Sequence, residues 1–234
     1  MKIVSTTRSP NYTELEIPVE FVVLHYTAGS LQRTLEIFMD RAREVSSHLV
    51  IDTDGVVYEV VPCLDGRPRR AWHAGKSRLA IGSGAGARTI EAFNDRSVGI
   101  ELVNINGNVF PYTEEQYVSL FSVIERLKGL YPALGSPESV VGHEQIAGFR
   151  GKCDPGRCFD WARLFAVCYP NQGAPQREAI CGWELAESVR GMLGAAGVVW
   201  EAESGRVRVP AGLDESLFNR LSALCEASLS ADRG

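Results

Sequence analysis

The amino-acid sequence predicts an α/β protein: a mixed central β-sheet covered by helices, followed by a small C-terminal α/β appendage. Three observations carry that prediction. Short apolar, β-branched runs at 20–26, 47–51, 56–61, 98–103 and 139–141 alternate with segments of helical period, as in a sheet flanked by helices. The Asp52-Thr53-Asp54-Gly55 step between two of these runs is a hairpin signal, because Asp-Gly suits the positive-φ positions of a tight turn. Past Tyr169-Pro170-Asn171-Gln172-Gly173-Ala174-Pro175 the composition shifts and turn residues mark a boundary. A main domain is therefore expected at 1–170 and the appendage at 176–234.

The elements follow in order. Residues 20–26 read as a buried strand entering the Ala28-Gly29-Ser30 loop, and a helix with Leu31, Leu35, Phe38, Met39 and Ala42 on one face comes next. The hairpin spans 47–61, and 64–95, rich in glycine, arginine and alanine, reads as a long loop region able to wall a substrate. Val98 to Val103 is a second buried strand. Thr113 and Gln116 form a capping box for a helix carrying Tyr117, Leu120, Phe121, Ile124, Leu127 and Leu130 at helical spacing. Ser139-Val140-Val141 is a short strand, and Phe159 to Cys168 a closing helix. The appendage reads as a helix (178–193), a strand pair around Glu203-Ser204-Gly205 and a helix (213–227), with no recognisable chemistry.

Composition narrows the function classes. With 45% hydrophobic and 23% charged residues the chain is an ordinary globular protein. A net charge of −5 argues against a nucleic-acid binder. The one dense basic cluster, Arg67-Pro68-Arg69-Arg70, reads as solvated loop surface. No run approaches the roughly 20 apolar residues of a membrane helix, and the start lacks the apolar stretch of a signal peptide. Six cysteines without a C-x-x-C pair are expected to be reduced, mostly buried hydrophobes. Localisation is expected to be cytoplasmic, or at the cell wall by a route needing no cleaved signal.

His25 ends the run Phe21-Val22-Val23-Leu24, and His143 ends Ser139-Val140-Val141-Gly142. Strand ends are where side chains reach a cleft. Lys152-Cys153-Asp154-Pro155-Gly156 adds a carboxylate or a thiolate. Two histidines plus one such group are what a three-ligand catalytic zinc site needs, its fourth position left for water. Glu101, in Ser97-Val98-Gly99-Ile100-Glu101-Leu102, and Lys152 would complete a hydrolase. A Cys153–His143 nucleophile pair is an alternative, but it leaves His25, Lys152 and Glu101 unexplained. His48, within an alternating strand, reads as a core histidine.

Six segments, in order over about residues 15–168, resemble one family: V-V-L-H-Y-T-A (22–28), S-S-H-L-V-I-D-T-D-G (46–55), A-W-H-A-G (71–75), N-D-R-S-V-G-I-E-L (94–102), G-H-E-Q-I-A (142–147) and K-C-D-P-G with F-D-W (152–161). The chain resembles the zinc-dependent N-acetylmuramoyl-L-alanine amidases of the type-2 amidase fold, which include cell-wall recycling enzymes, phage lysozyme-type amidases and peptidoglycan recognition proteins. The resemblance implies one zinc per chain on His25, His143 and Asp154, with Glu101 as acid/base and Lys152 stabilising an oxyanion. The implied substrate is peptidoglycan or a muropeptide, cleaved between N-acetylmuramic acid and L-alanine, with no nucleic-acid or membrane partner. Trp72 and His73 would line the groove, and Arg88 and Asn94 would contact the stem peptide. A recognition module without catalysis is the rival; such relatives typically lack a zinc ligand. The chain departs from the pattern in two ways. Gly148-Phe149-Arg150-Gly151 carries one residue more than the recycling enzymes have, and Cys153 adjoins Asp154 where some members use cysteine. In the family the lysine lies two before the ligand, which favours Asp154.

Overall fold

The computed structural model describes residues 1–81, 88–108 and 110–175 and, beyond residue 190, short stretches that include 199–201 and 206–208. In chain order the elements are β1 (Ile3–Val4), β2 (Tyr12–Glu16), β3 (Phe21–Tyr26), α1 (Leu31–Met39), β4 (Leu49–Ile51), β5 (Val57–Glu59), β6 (Arg69–Ala71), β7 (Arg78–Ile81), β8 (Arg88–Glu91) and β9 (Ser97–Leu102). Then come α2 (Glu114–Leu130), β10 (Val140–Gly142), α3 (His143–Ala147), α4 (Trp161–Cys168), β11 (Val199–Glu201) and β12 (Arg206–Arg208). The main sheet has the order β1-β5-β4-β9-β3-β10. It is mixed as expected, because β4 and β5 form the antiparallel Asp-Gly hairpin while β4, β9, β3 and β10 run parallel.

Alternation along the strands sorts side chains onto two faces. Val22, Leu24, Leu49, Ile51, Val98, Ile100 and Val140 pack with α2 and α4 through Leu120, Ile124, Leu127, Leu164 and Phe165. The opposite face carries two smaller clusters. Val50 lies with Phe38 of α1, and Val23 and Val141 lie with Phe93 and Ile146. The capping box of α2 is present as the sequence implied, and it also ties helix to sheet. Gln116 donates to the Val103 carbonyl (2.9 Å), and Thr113 donates to the Thr53 carbonyl in the hairpin turn (2.7 Å).

The structure corrects three expectations. The region 64–95 is not simply a loop: β6 pairs antiparallel with β2, a strand with no clear apolar signal, and β7 pairs with β8. These strands are short and charged, and β2 finds its partner β6 more than fifty positions along the chain, whereas β7 and β8 are near neighbours in sequence. Arg69 of β6 reaches Glu14 (3.2 Å) and Glu16 (3.0 Å), Arg67 reaches Glu16 (2.6 Å), and Arg70 pairs with Asp95. The basic cluster is thus an internally paired strand edge. Finally, α1 stops at Met39 because Asp40 turns extended and caps a short 3-10 turn, which leaves Ala42 exposed. In the appendage the expected strand pair exists as antiparallel β11–β12. The expected helices at 178–193 and 213–227 lie outside the described residues. Among the described residues no helix is long and apolar enough to cross a membrane.

His48 is fully buried beside β9. Its Nε2 donates to the Arg69 carbonyl (2.7 Å), so Nδ1 is bare and accepts the Gly99 N–H (3.0 Å). Burial, followed by the neighbouring His25, lowers its pKa to about 4. A histidine held neutral in the fold but near 6.5 when unfolded stabilises above pH 6.5, and that contribution is lost as pH falls towards 4. Between pH 7 and 4.5 this one group is expected to cost roughly 2–3 kcal/mol. Denaturant unfolding of wild type and His48→Gln at both pH values checks it: the glutamine variant should show the shallower loss, and equal slopes would refute the assignment.

A candidate metal centre

His25 and Glu101 are each the fifth residue of a parallel strand, and the β3–β9 ladder sets them directly opposite one another. In-register neighbours project from the same face, so both side chains leave the sheet side by side. On the other flank β10 pairs Gly142 with Leu24, which brings His143, the next residue, alongside His25. The third arm is the 152–156 turn, clamped by backbone contacts. Glu144 N–H donates to the Asp154 carbonyl (2.9 Å), the Tyr112 hydroxyl to the Pro155 carbonyl (2.6 Å) and Asn108 Nδ2 to the Cys153 carbonyl (3.4 Å). The turn lies so close to Gly107 that a Cβ there would sit 2.0 Å from the Pro155 oxygen.

These arms converge. Asp154 Oδ2 lies 2.9 Å from His25 Nδ1 and 3.0 Å from His143 Nδ1, and the two Nδ1 atoms lie 3.1 Å apart. All three residues are buried, at 2%, 4% and 8% exposure for His25, His143 and Asp154. Cys153 instead turns its sulfur to the Tyr26 hydroxyl, 3.2 Å away. The donor chemistry fits a divalent cation. His143 Nε2 faces the Ala74 carbonyl (3.3 Å), which can only accept, so the proton sits on Nε2 and a bare Nδ1 points at the centre. A carboxylate oxygen and an imidazole lone pair in close opposition, away from water, call for positive charge between them.

Burial lowers the His25 pKa to about 4, helped by His143 and opposed by Asp154. Burial would raise Asp154, but His143 and His25 together hold it well below the usual carboxylate range. Glu101 is pushed up to about 8 by burial first and by Asp154 second, with Lys152 opposing. Its Oε2 is shielded from solvent and has no hydrogen-bond partner.

The other expected site residues fall in different places. Lys152 is half-buried on the ligand turn, near enough for its charge to act on both Glu101 and His25. Trp72 is half-buried. His73 does not face an open groove: it is 7% exposed, with Nδ1 3.1 Å from His25 Nε2 and Nε2 3.3 Å from Ser97 Oγ. Asn94 spends its Oδ1 on the His73 and Ala74 N–H groups (3.1 and 2.7 Å), and Arg88 is exposed at the start of β8. Ser97 and Gly99 went unnoticed in the sequence. The period-2 pattern of 97–101 would have marked them, since both share the Glu101 face.

Two imidazole nitrogens and one carboxylate oxygen, gathered at the C-terminal ends of parallel strands with a glutamate on the same face, form a three-donor group that could hold a metal ion. The N-acetylmuramoyl-L-alanine amidase family profile matches residues 15–157, and the chain belongs to that family. A 1,6-anhydro-N-acetylmuramyl-L-alanine amidase, AmpD, from Enterobacter cloacae is 39% identical over 123 residues, which cover 53% of this chain and 57% of the relative. The chain thus spans little more than half the length of the curated relatives it matches. A crystal structure of an AmpD selenomethionine derivative is 30% identical with a TM-score of 0.50, covering 71% of this chain and 93% of that one. The Escherichia coli amidase AmiD, solved with anhydro-N-acetylmuramic acid-L-Ala-D-gamma-Glu-L-Lys, is 25% identical with a TM-score of 0.52, covering 94% of this chain and 74% of AmiD.

Proposed function

We propose that this protein hydrolyses the amide between N-acetylmuramic acid and the L-alanine of a muropeptide stem, using one zinc held by His25, His143 and Asp154. The observation that carries this reading is the convergence of three donor atoms beside Glu101, which stands directly opposite His25 in the β3–β9 ladder. Bound zinc supplies Lewis acidity, which acidifies a water and polarises an amide carbonyl. Glu101 takes the proton from the attacking water and returns it to the departing alanine nitrogen, without which an amine is a poor leaving group. The Lys152 ammonium offsets the negative charge that develops on the carbonyl oxygen. The names of the relatives support an anhydromuropeptide as the small substrate.

The test is product analysis. The chain is incubated with defined anhydromuropeptides and with whole sacculi, with and without a chelator, and products are read by mass spectrometry. The expected result is a free peptide with a new L-alanine N-terminus, lost on chelation and restored by zinc. Binding without product would instead indicate a recognition module. We further propose that 1–170 forms the catalytic unit and 176–234 a separate appendage. A chain ending at Gly173 should then still cleave the small substrate, and loss confined to sacculi would assign the appendage to targeting.

A further inference from the structure

His25 offers its Nδ1 to the centre only in one tautomer, and nothing on β3 selects it. The selection comes from outside. The Phe93 carbonyl can only accept, and the Ser97 hydroxyl donates its single proton there at 2.5 Å. Ser97 Oγ then meets His73 Nε2, 3.3 Å away, as an acceptor. That places the His73 proton on Nε2 and leaves its Nδ1 bare. His73 Nδ1 lies 3.1 Å from His25 Nε2, so His25 must carry its proton on Nε2. The remaining nitrogen of His25, Nδ1, faces His143 and Asp154 with a free lone pair. The reverse tautomer would aim an N–H at the Asp154 carboxylate and close the position to a cation.

We propose that His73 is a positioning residue. The chain Phe93–Ser97–His73 holds His25 in the tautomer that can ligate zinc. The proposal rests on the zinc-centre reading above. The surrounding fold is shaped for it. Gly99 lies beneath the His73 ring, and a Cβ there would come within 2.5 Å of Cγ and 2.6 Å of Nδ1. Asn94 grips the His73 backbone, and the two imidazoles meet edge-on at 5.3 Å between centroids. Partners that orient a ligating imidazole typically contribute about 10–100-fold in metal affinity.

Three variants test this on the full chain: His73→Leu, His73→Asn and Ser97→Ala. Zinc affinity is measured by competition with a chromophoric chelator. The His25 tautomer is read in the metal-free protein from nitrogen-15 imidazole spectra, with circular dichroism monitoring the fold. His73→Leu should weaken zinc about 10–100-fold. His73→Asn, whose amide oxygen can stand where Nδ1 stood and only accept, should recover most of that loss. Ser97→Ala removes one hydroxyl and keeps the ring. It should leave His25 as a mixture of tautomers, which decides the matter even if the leucine variant does not fold. Wild-type zinc affinity in a folded His73→Leu, or a His25 that stays wholly in the Nε2–H tautomer in Ser97→Ala, would overturn the proposal. Failure of the wild-type chain itself to bind zinc would instead remove the metal-centre reading on which it stands.

Discussion

His143→Ala is expected to yield a folded protein that has lost zinc and, with it, hydrolysis. His143 opens α3 directly after β10, and its side chain faces the centre rather than the Val22–Ile100 core, so its loss leaves the main packing intact. Deleting a donor should cost more than the about 10–100-fold that loss of an outer partner costs. His25→Ala should behave likewise. The pair Asp154→Ala and Cys153→Ser separates the two candidates for the third ligand. The carboxylate oxygen lies 2.9 and 3.0 Å from the histidine nitrogens, while the cysteine sulfur sits against Tyr26. Asp154→Ala should therefore lose metal and activity, and Cys153→Ser should keep both. Stoichiometric zinc by elemental analysis in either histidine variant would defeat the ligand assignment. The opposite outcome for the Asp154 and Cys153 pair would point to a thiolate, with its zinc–sulfur distance of about 2.3 Å.

Glu101→Gln is expected to cut turnover by about 10²–10⁴-fold, the usual contribution of a general acid–base group. Zinc occupancy and muropeptide affinity should stay near wild type. The substitution preserves size and hydrogen-bonding reach but removes the ability to take and return a proton. Glu101 stands opposite His25 in the ladder without hydrogen-bonding any of the three donors, so its neutralisation should leave the metal in place. Turnover and zinc measured on the same preparation separate a lost shuttle from a lost metal. Near-normal turnover would pass the proton-transfer role to another residue.

Much of this architecture is legible before any coordinates. The buried strand at 21–26, the Asp-Gly hairpin, the capping box of α2 and the strand that delivers His143 are all local patterns. Backbone geometry imposes a period of 2 or 3.6 on whatever is buried, so each declares itself within a dozen residues. His25, Glu101 and His143 are likewise visible, because a polar group in or at the end of an apolar run is costly unless it is used; Asp154 is favoured over Cys153 only by the family resemblance. Strands β2 and β6 are not legible, since charged residues such as Arg69 and Glu14 form them through partners about fifty positions away, and β7 and β8 are hidden because their exposed, charged residues show no buried period. Nor can a sequence show which way a side chain turns. Cys153 and Asp154 are adjacent and chemically plausible alike, and only the clamp on their turn aims the carboxylate inward and the thiol at Tyr26. His73 carries the same lesson. By itself the sequence determined the apolar strands of the main sheet, the helices packed on it and the inventory of reactive groups, because burial periodicity is written residue by residue. The tertiary structure alone decided which nitrogen of which histidine faces the centre. That choice depends on one hydroxyl proton and a carbonyl brought together by strand register, and register arises from pairing across the whole sheet.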